Sequence, residues 1–110
     1  KALYLNRNRL STVPETLSRL NQLERLELNN NRLKHLPPAI FSNFTQLSYL
    51  SMAHNRIVTL PEQIGACKML SRIDLSYNQI RLLPALSKIS PIHFIPLNLN
   101  LAAAGGLLNA

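Results

Sequence analysis

Few side chains in this sequence could do covalent or metal chemistry. Cys67 is the only thiol, and His35, His54 and His93 are the only imidazoles. A nucleophilic cysteine needs a base beside it and a zinc site needs three or four converging donors. The histidines fall at unrelated places, none with a second ligand type at metal spacing. General acid–base work needs paired carboxylates; Glu24 and Glu27 sit together, while Asp74 lies far along the chain with nothing to shape a cleft between them. Gly105-Gly106 lacks the strand before and the helix after that a phosphate-binding loop requires. The residue types therefore imply no catalytic residue, no cofactor and no metal. What the spacing organises is leucine and asparagine, as in "LERLELNNNRL" from Leu23 to Leu33.

That pattern repeats. Leu47 to Ile57 reads "LSYLSMAHNRI", Leu70 to Ile80 reads "LSRIDLSYNQI", and Ala2 to Leu10, "ALYLNRNRL", is the same frame with its first places cut back. Asn8, Asn31, Asn55 and Asn78 recur at intervals of 23, 24 and 23 residues, and Asn100 follows 22 later inside "IHFIPLNLNLA". Self-similarity at this period marks a stack of small units that bury a shared core. In that frame Cys67 occupies the place held by Leu20 and Phe44, which makes it a small core residue rather than a nucleophile.

Each unit supplies its own physical reasons. Leu26 and Leu28 flank Glu27 with the period of a short strand buried on one face. Val13-Pro14, Leu36-Pro37, Leu60-Pro61 and Leu83-Pro84 then stop the extended run and set φ for a turn or short helix. The chain returns through that connector, so consecutive strands stack in parallel about 4.8 Å apart. Where a strand breaks, inward-facing N–H and C=O groups lose their ladder partners, and an asparagine amide can answer both kinds. Asn8, Asn31, Asn55, Asn78 and Asn100 are thus expected to form a hydrogen-bonded ladder along the stack.

Four in-phase copies of LxxLxLxxNxL resemble the leucine-rich repeat family. The resemblance covers residues 1 to about 91, or to 102 with the fifth copy. It implies an α/β repeat solenoid: a right-handed superhelix with a parallel β-sheet on its concave face and short helical or irregular connectors on the convex face. The strand-turn units fall at 1–10, 23–33, 47–57, 70–80 and 92–102, with 103–110 as a tail. Because the chain opens inside a unit, it is expected to be a segment of a longer one. "STVPETLSRLNQL" and "VTLPEQIGACKML" are similar to the 23-residue class of cytosolic Ras-pathway scaffolds, whereas "KHLPPAIFSNFTQL" is similar to the 24-residue type of extracellular proteins.

The family implies a non-enzymatic protein-binding scaffold that meets its partner on the concave strand face. In this sequence the outward places are Ala2, Tyr4, Asn6 and Arg7; Arg25, Glu27, Asn29 and Asn30; Tyr49, Ser51, Ala53 and His54; Arg72, Asp74, Ser76 and Tyr77. All three tyrosines lie among them, and tyrosine and arginine are the residues that most often dominate binding energy. Tyr4, Arg25, Glu27, Tyr49, Ser51, His54, Arg72, Asp74 and Tyr77 are the expected contact residues. Arg9, Arg32 and Arg56 form a second row, each directly after a ladder asparagine.

Composition sets the remaining bounds. A hydrophobic content of 46% is enough for a core, and twelve basic against five acidic residues give +7, which favours a partner with an acidic surface. The basic residues are spread over several faces without a groove-reading element, so nucleic acid is not expected. From Ile89 onward there is no charge, yet Pro91, Pro96, Asn98, Asn100 and Gly105-Gly106 interrupt any membrane-spanning helix. A single cysteine excludes an internal disulfide framework, and with the 23-residue units it favours the cytoplasm. The 24-residue unit and the glycosylation pattern "NFT" at Asn43 to Thr45 leave an extracellular ectodomain open. A regulatory targeting segment of a larger signalling enzyme is the further alternative.

Overall fold

The computed structural model describes residues 1–79 and a two-residue strand at 97–98. Five strands, β1 (Ala2–Tyr4), β2 (Arg25–Glu27), β3 (Tyr49–Ser51), β4 (Arg72–Asp74) and β5 (Leu97–Asn98), form one parallel sheet in chain order. Parallel neighbours require a crossover, and from β1 to β4 each crossover is one connector, so the chain winds as a right-handed α/β solenoid. The register follows the repeat frame: Arg25 pairs with Ala2 and Tyr49, and Tyr49 with Arg72. The central residue of each strand therefore points the same way, and Leu26, Leu50 and Ile73 are all buried.

The fifth strand departs from the frame. Matching Asn100 to Asn78 would set Ile95 opposite Ile73, but Leu97 is the residue that pairs there, with Asn98 opposite Asp74. The displacement is two residues. Proline has no N–H to give a ladder, and pairing begins just past Pro96. The expected rung at Asn100, the rest of the 92–102 unit and the 103–110 tail lie outside the described residues.

Beyond β1, β2 and β3 the backbone keeps its rungs for two or three more residues. Leu28 N–H donates to Ser51 O at 2.8 Å and Met52 N–H to Asp74 O at 2.8 Å; Asn30 N–H then reaches Ala53 O at 2.9 Å and His54 N–H reaches Ser76 O at 3.0 Å. The next turn needs a left-handed residue. Arg7, Asn30, His54 and Tyr77, each just before a ladder asparagine, all have φ between 57° and 59°. Asparagine tolerates this region best of the four, and bulky side chains hold it at a cost of about 1 kcal/mol each.

The ladder asparagines then close the turn with the same bonds each time. The Asn55 amide donates to Leu28 O of the preceding unit at 2.8 Å and to Met52 O and Ala53 O of its own at 3.1 and 3.2 Å, while Oδ1 accepts Leu33 N–H at 3.0 Å. Asn31 repeats the set with Leu5, Leu28, Asn29 and Leu10. Asn78 repeats it with Met52, Leu75, Ser76 and Ile57. Asn31 and Asn55 are buried. Asn8 is exposed and keeps only the bonds to its own turn, Leu5 O and Asn6 O.

Connector length decides connector structure. In the 23-residue units Pro14 and Pro61 are extended, and single 3₁₀ turns follow at Glu15–Arg19 and Glu62–Ala66. In the 24-residue unit the additional residue gives Pro37-Pro38; Pro38 is helical and opens a short α-helix, α1 (Ala39–Ser42). A helix can start on proline because its first N–H groups have no partner to lose. The deeper connector brings in Phe41 and Phe44, both fully buried and edge-to-face with centroids 6.3 Å apart. Cys67 fills the matching place of the next unit. It is buried, its Sγ is 3.6 Å from Phe41 O, and desolvation pushes the thiol up to about 11.

Candidate partner-binding face

The concave face is built from side chains that share a register position on successive strands. At the first strand position Arg25, Tyr49 and Arg72 stand side by side. The Arg25 guanidinium lies 4.1 Å from the centroid of the Tyr49 ring and that of Arg72 lies 5.2 Å from it. Both distances are within cation–π range. The ring is half-buried, and both arginines are exposed. Lining up residues from three units this way is a direct product of the in-phase register.

At the third strand position stand Tyr4, Glu27, Ser51 and Asp74. Arg25 Nε donates to Glu27 Oε2 at 2.5 Å, and the Asn6 amide donates to Glu27 Oε1 at 3.1 Å. Partial burial of Glu27 works to raise its carboxyl, but the hydrogen bonds from Arg25 and Asn6 outweigh it and hold the group below the usual carboxylate range. Asp74 Oδ1 accepts Ser76 N–H at 3.0 Å and Ser76 Oγ–H at 2.7 Å. Tyr4, on the edge strand, is 59% exposed.

Past the strands, two of the left-handed places carry rings. His54 and Tyr77 stack with centroids 4.3 Å apart and planes inclined by 9°. Both residues have positive φ and both are exposed, Tyr77 at 57%. Arg9, Arg32 and Arg56 are exposed along the neighbouring edge. The backbone of the last two is tied down, with Arg32 N–H on Leu10 O and Arg56 N–H on Leu33 O, each at 2.8 Å.

One expected contact residue does not belong to this surface. Ser51 is 1% exposed, between the longer Glu27 and Asp74 on either side, and its hydroxyl donates to Asn29 Oδ1 at 2.6 Å. Ala53 and Ser76, also expected to face outward, are buried as well. Ser51 and Ala53 are tied in by a second set of bonds centred on Asn29, and Ser76 by Asp74 Oδ1. Asn29 Oδ1 also accepts Ala53 N–H at 2.7 Å, and the Asn29 N–H donates to Asn6 Oδ1 at 2.8 Å. Asn6 and Asn29 occupy the same place, two before the ladder asparagine, and that coincidence was the available sequence signal. Of the expected residues, Tyr4, Arg25, Tyr49, His54, Arg72 and Tyr77 present rings or guanidinium groups, while Glu27 and Asp74 are half-buried and already hydrogen-bonded.

A stack of in-phase strands tied by asparagine defines a class, and comparison with known proteins agrees. The leucine-rich repeat family model matches residues 21–80, more than half of the chain, which therefore belongs to that family. The chain is similar to podocan of Mus musculus, 47% identical over 55 residues that make up 47% of this chain and 9% of that protein. It is similar also to human leucine-rich repeats and immunoglobulin-like domains protein 3, 42% identical over 45 residues, 41% of this chain and 4% of that one. The solved structure of a leucine-rich repeat protein from Leptospira interrogans superposes with a TM-score of 0.76 at 32% identity, over 87% of this chain and 25% of that chain. The chain spans less than a tenth of the length of these curated relatives. None of them supports the cytoplasmic preference drawn from the 23-residue units.

Proposed function

We propose that this segment is a protein-recognition module, without catalysis of its own, that receives its partner on the concave face of β2, β3 and β4. The observation that carries this is Tyr49 set between Arg25 and Arg72, at 4.1 and 5.2 Å. Ring and guanidinium groups are held in place before any partner arrives, so little side-chain freedom is lost on binding. Tyr4, His54 and Tyr77 extend the same surface, and Glu27 and Asp74 give it polar specificity. The chain's net charge of +7 suits a partner with an acidic surface, which it would draw in at long range. Unrelated functions recur on one fold, so the proposal rests on this face and on the family together.

The same considerations favour an extracellular setting. One relative is named for immunoglobulin-like domains, a module common at cell surfaces. In the 24-residue unit Asn43 and Thr45 of the glycosylation pattern are both exposed at the end of α1, on the connector side and clear of the strand face. Expression through a secretory pathway is expected to place a glycan on Asn43 without blocking partner binding. Natural full-length protein confined to the cytosol would contradict this setting.

Binding itself is tested by hydrogen exchange on the complex with a natural partner. Added protection is expected across 25–30, 49–54 and 72–77. Protection confined to the connectors at 15–19, 39–42 and 62–66 would overturn the assignment of the face.

A further inference from the structure

Two strands carry an arginine and a carboxylate at the same spacing, Arg25 with Glu27 on β2 and Arg72 with Asp74 on β4. Residues two apart on a strand share a face, so both pairs are placed to close. Only the first does: Arg25 Nε meets Glu27 Oε2 at 2.5 Å, with the Asn6 amide holding the other carboxylate oxygen. Asp74 is one methylene shorter and its Oδ1 is turned to its own loop, bonded to Ser76 N–H and Oγ–H. The described ion pairs leave Arg72 without a carboxylate. Asp74 is the last acidic residue of the chain, so no later side chain can supply a carboxylate.

Arg72 is nonetheless held. Its guanidinium sits over the ring of Tyr49, which Arg25 approaches from the strand on the other side. The ring takes up the apolar surface of the guanidinium group and leaves its N–H donors to point elsewhere. Two like charges against one ring also repel, and a carboxylate on Arg25 answers only one of them. We propose that Arg72, steadied on Tyr49, is the seat for a carboxylate side chain supplied by a partner protein, completing on β4 the pair that Glu27 closes on β2. The seat rests on the strand face being the docking surface.

Local charge selects the kind of anion. Glu27 already answers Arg25 and Asp74 Oδ1 is held by Ser76, so Arg72 offers one guanidinium to one carboxylate. A phosphate brings roughly two charges into a patch where Asp74 already stands beside the seat. The seat is therefore a carboxylate site, read from Asp or Glu of a partner chain.

The test titrates the 13C,15N-labelled 110-residue chain with a tetraglutamate peptide blocked at both ends, with the matching tetraglutamine peptide, and with inorganic phosphate. Tetraglutamate is expected to shift the Arg72 side-chain N–H and Tyr49 ring signals, and tetraglutamine to leave them in place. R72Q should weaken the peptide at least tenfold, R72K should recover part of that loss, and R56Q, an exposed arginine on the edge row, should stay within twofold of the parent. Amide spectra establish that each variant is folded. Equal shifts with tetraglutamine, phosphate seating more tightly than the peptide, or equal losses from R72Q and R56Q would each overturn the seat. A natural partner protecting only the connectors while tetraglutamate still seats on Arg72 would sink the docking surface and leave the carboxylate site standing. Strand-face protection with an unresponsive Arg72 would do the reverse.

Discussion

The asparagine edge and the strand face are made by the same winding of the chain, yet they vary in opposite ways. Along the edge, Asn31, Asn55 and Asn78 make one set of bonds three times over, each to the preceding unit and to its own turn. Across the face, one register row reads Ala2, Arg25, Tyr49, Arg72 and the next reads Tyr4, Glu27, Ser51, Asp74. Repetition marks the places where backbone N–H and C=O groups must be paired on burial, because leaving them unpaired costs about 1 to 3 kcal/mol each. Where no such demand exists the side chains are free to differ, and the difference is what a partner could read.

The sharpest way to break this comparison is at the centre of the ladder. Asn55→Ala strands Leu33 N–H in the interior and removes one of the two amide donors that Leu28 O and Met52 O each have, and is expected to destabilise the chain by about 1 to 3 kcal/mol. Asn8→Ala removes only bonds within an exposed turn that water can replace, and should cost less than about 0.5 kcal/mol. Urea midpoints at constant m-value measure both. Equal losses at Asn8 and Asn55 would show that the ladder does not act through burial.

The interior offers a smaller effect through Cys67. Its folded pKa is raised to about 11 from an ordinary value of 9.0, so the unfolded chain releases the thiol proton first. The contribution is full below pH 9 and is lost as pH rises through about 11, an expected fall of about 1 to 2 kcal/mol across that window. The Cys67→Ser variant should lack this slope, and the parent thiol should react with iodoacetamide only as fast as the fold opens. Rapid alkylation under native conditions would place Cys67 outside the core.

A smaller effect still comes from the left-handed places. Arg7, with φ 59°, is exposed and lies over no ring among the described residues, and Arg7→Gly should stabilise by about 0.5 kcal/mol, the relief of strain being partly offset by backbone entropy. A destabilising Arg7→Gly would mean that the side chain holds the turn.

Much of the framework was legible because it repeats. The interval between asparagines located β1 to β4, and the prolines marked where each connector begins. What was not legible depends on neighbours in space. Ser51, Ala53 and Ser76 alternate outward like any strand residue, but their exposure is decided by the length of Glu27 and Asp74 and by the reach of Asn29. The choice between a 3₁₀ turn and α1 turned on one additional residue and on where Pro38 fell. The unequal pairing of Arg25-Glu27 and Arg72-Asp74 follows from one methylene and from Ser76, which no spacing rule contains. The compartment was weighed from connector types that occur side by side in this chain, and so the connectors could not decide it.

The central claim is that the varying face, and not the repeating edge or the connectors, is where a partner binds. It is tested most directly by measuring affinity and stability together for Tyr49→Ala, with Glu62→Ala and Lys68→Ala on the connector side as controls. Tyr49 is half-buried, so its truncation should cost less than about 1 kcal/mol of stability while weakening a natural partner by about 2 kcal/mol, near thirtyfold. The two connector variants should leave affinity unchanged. Unchanged affinity at Tyr49 with large losses at Glu62 or Lys68, all at unaltered stability, would contradict the account.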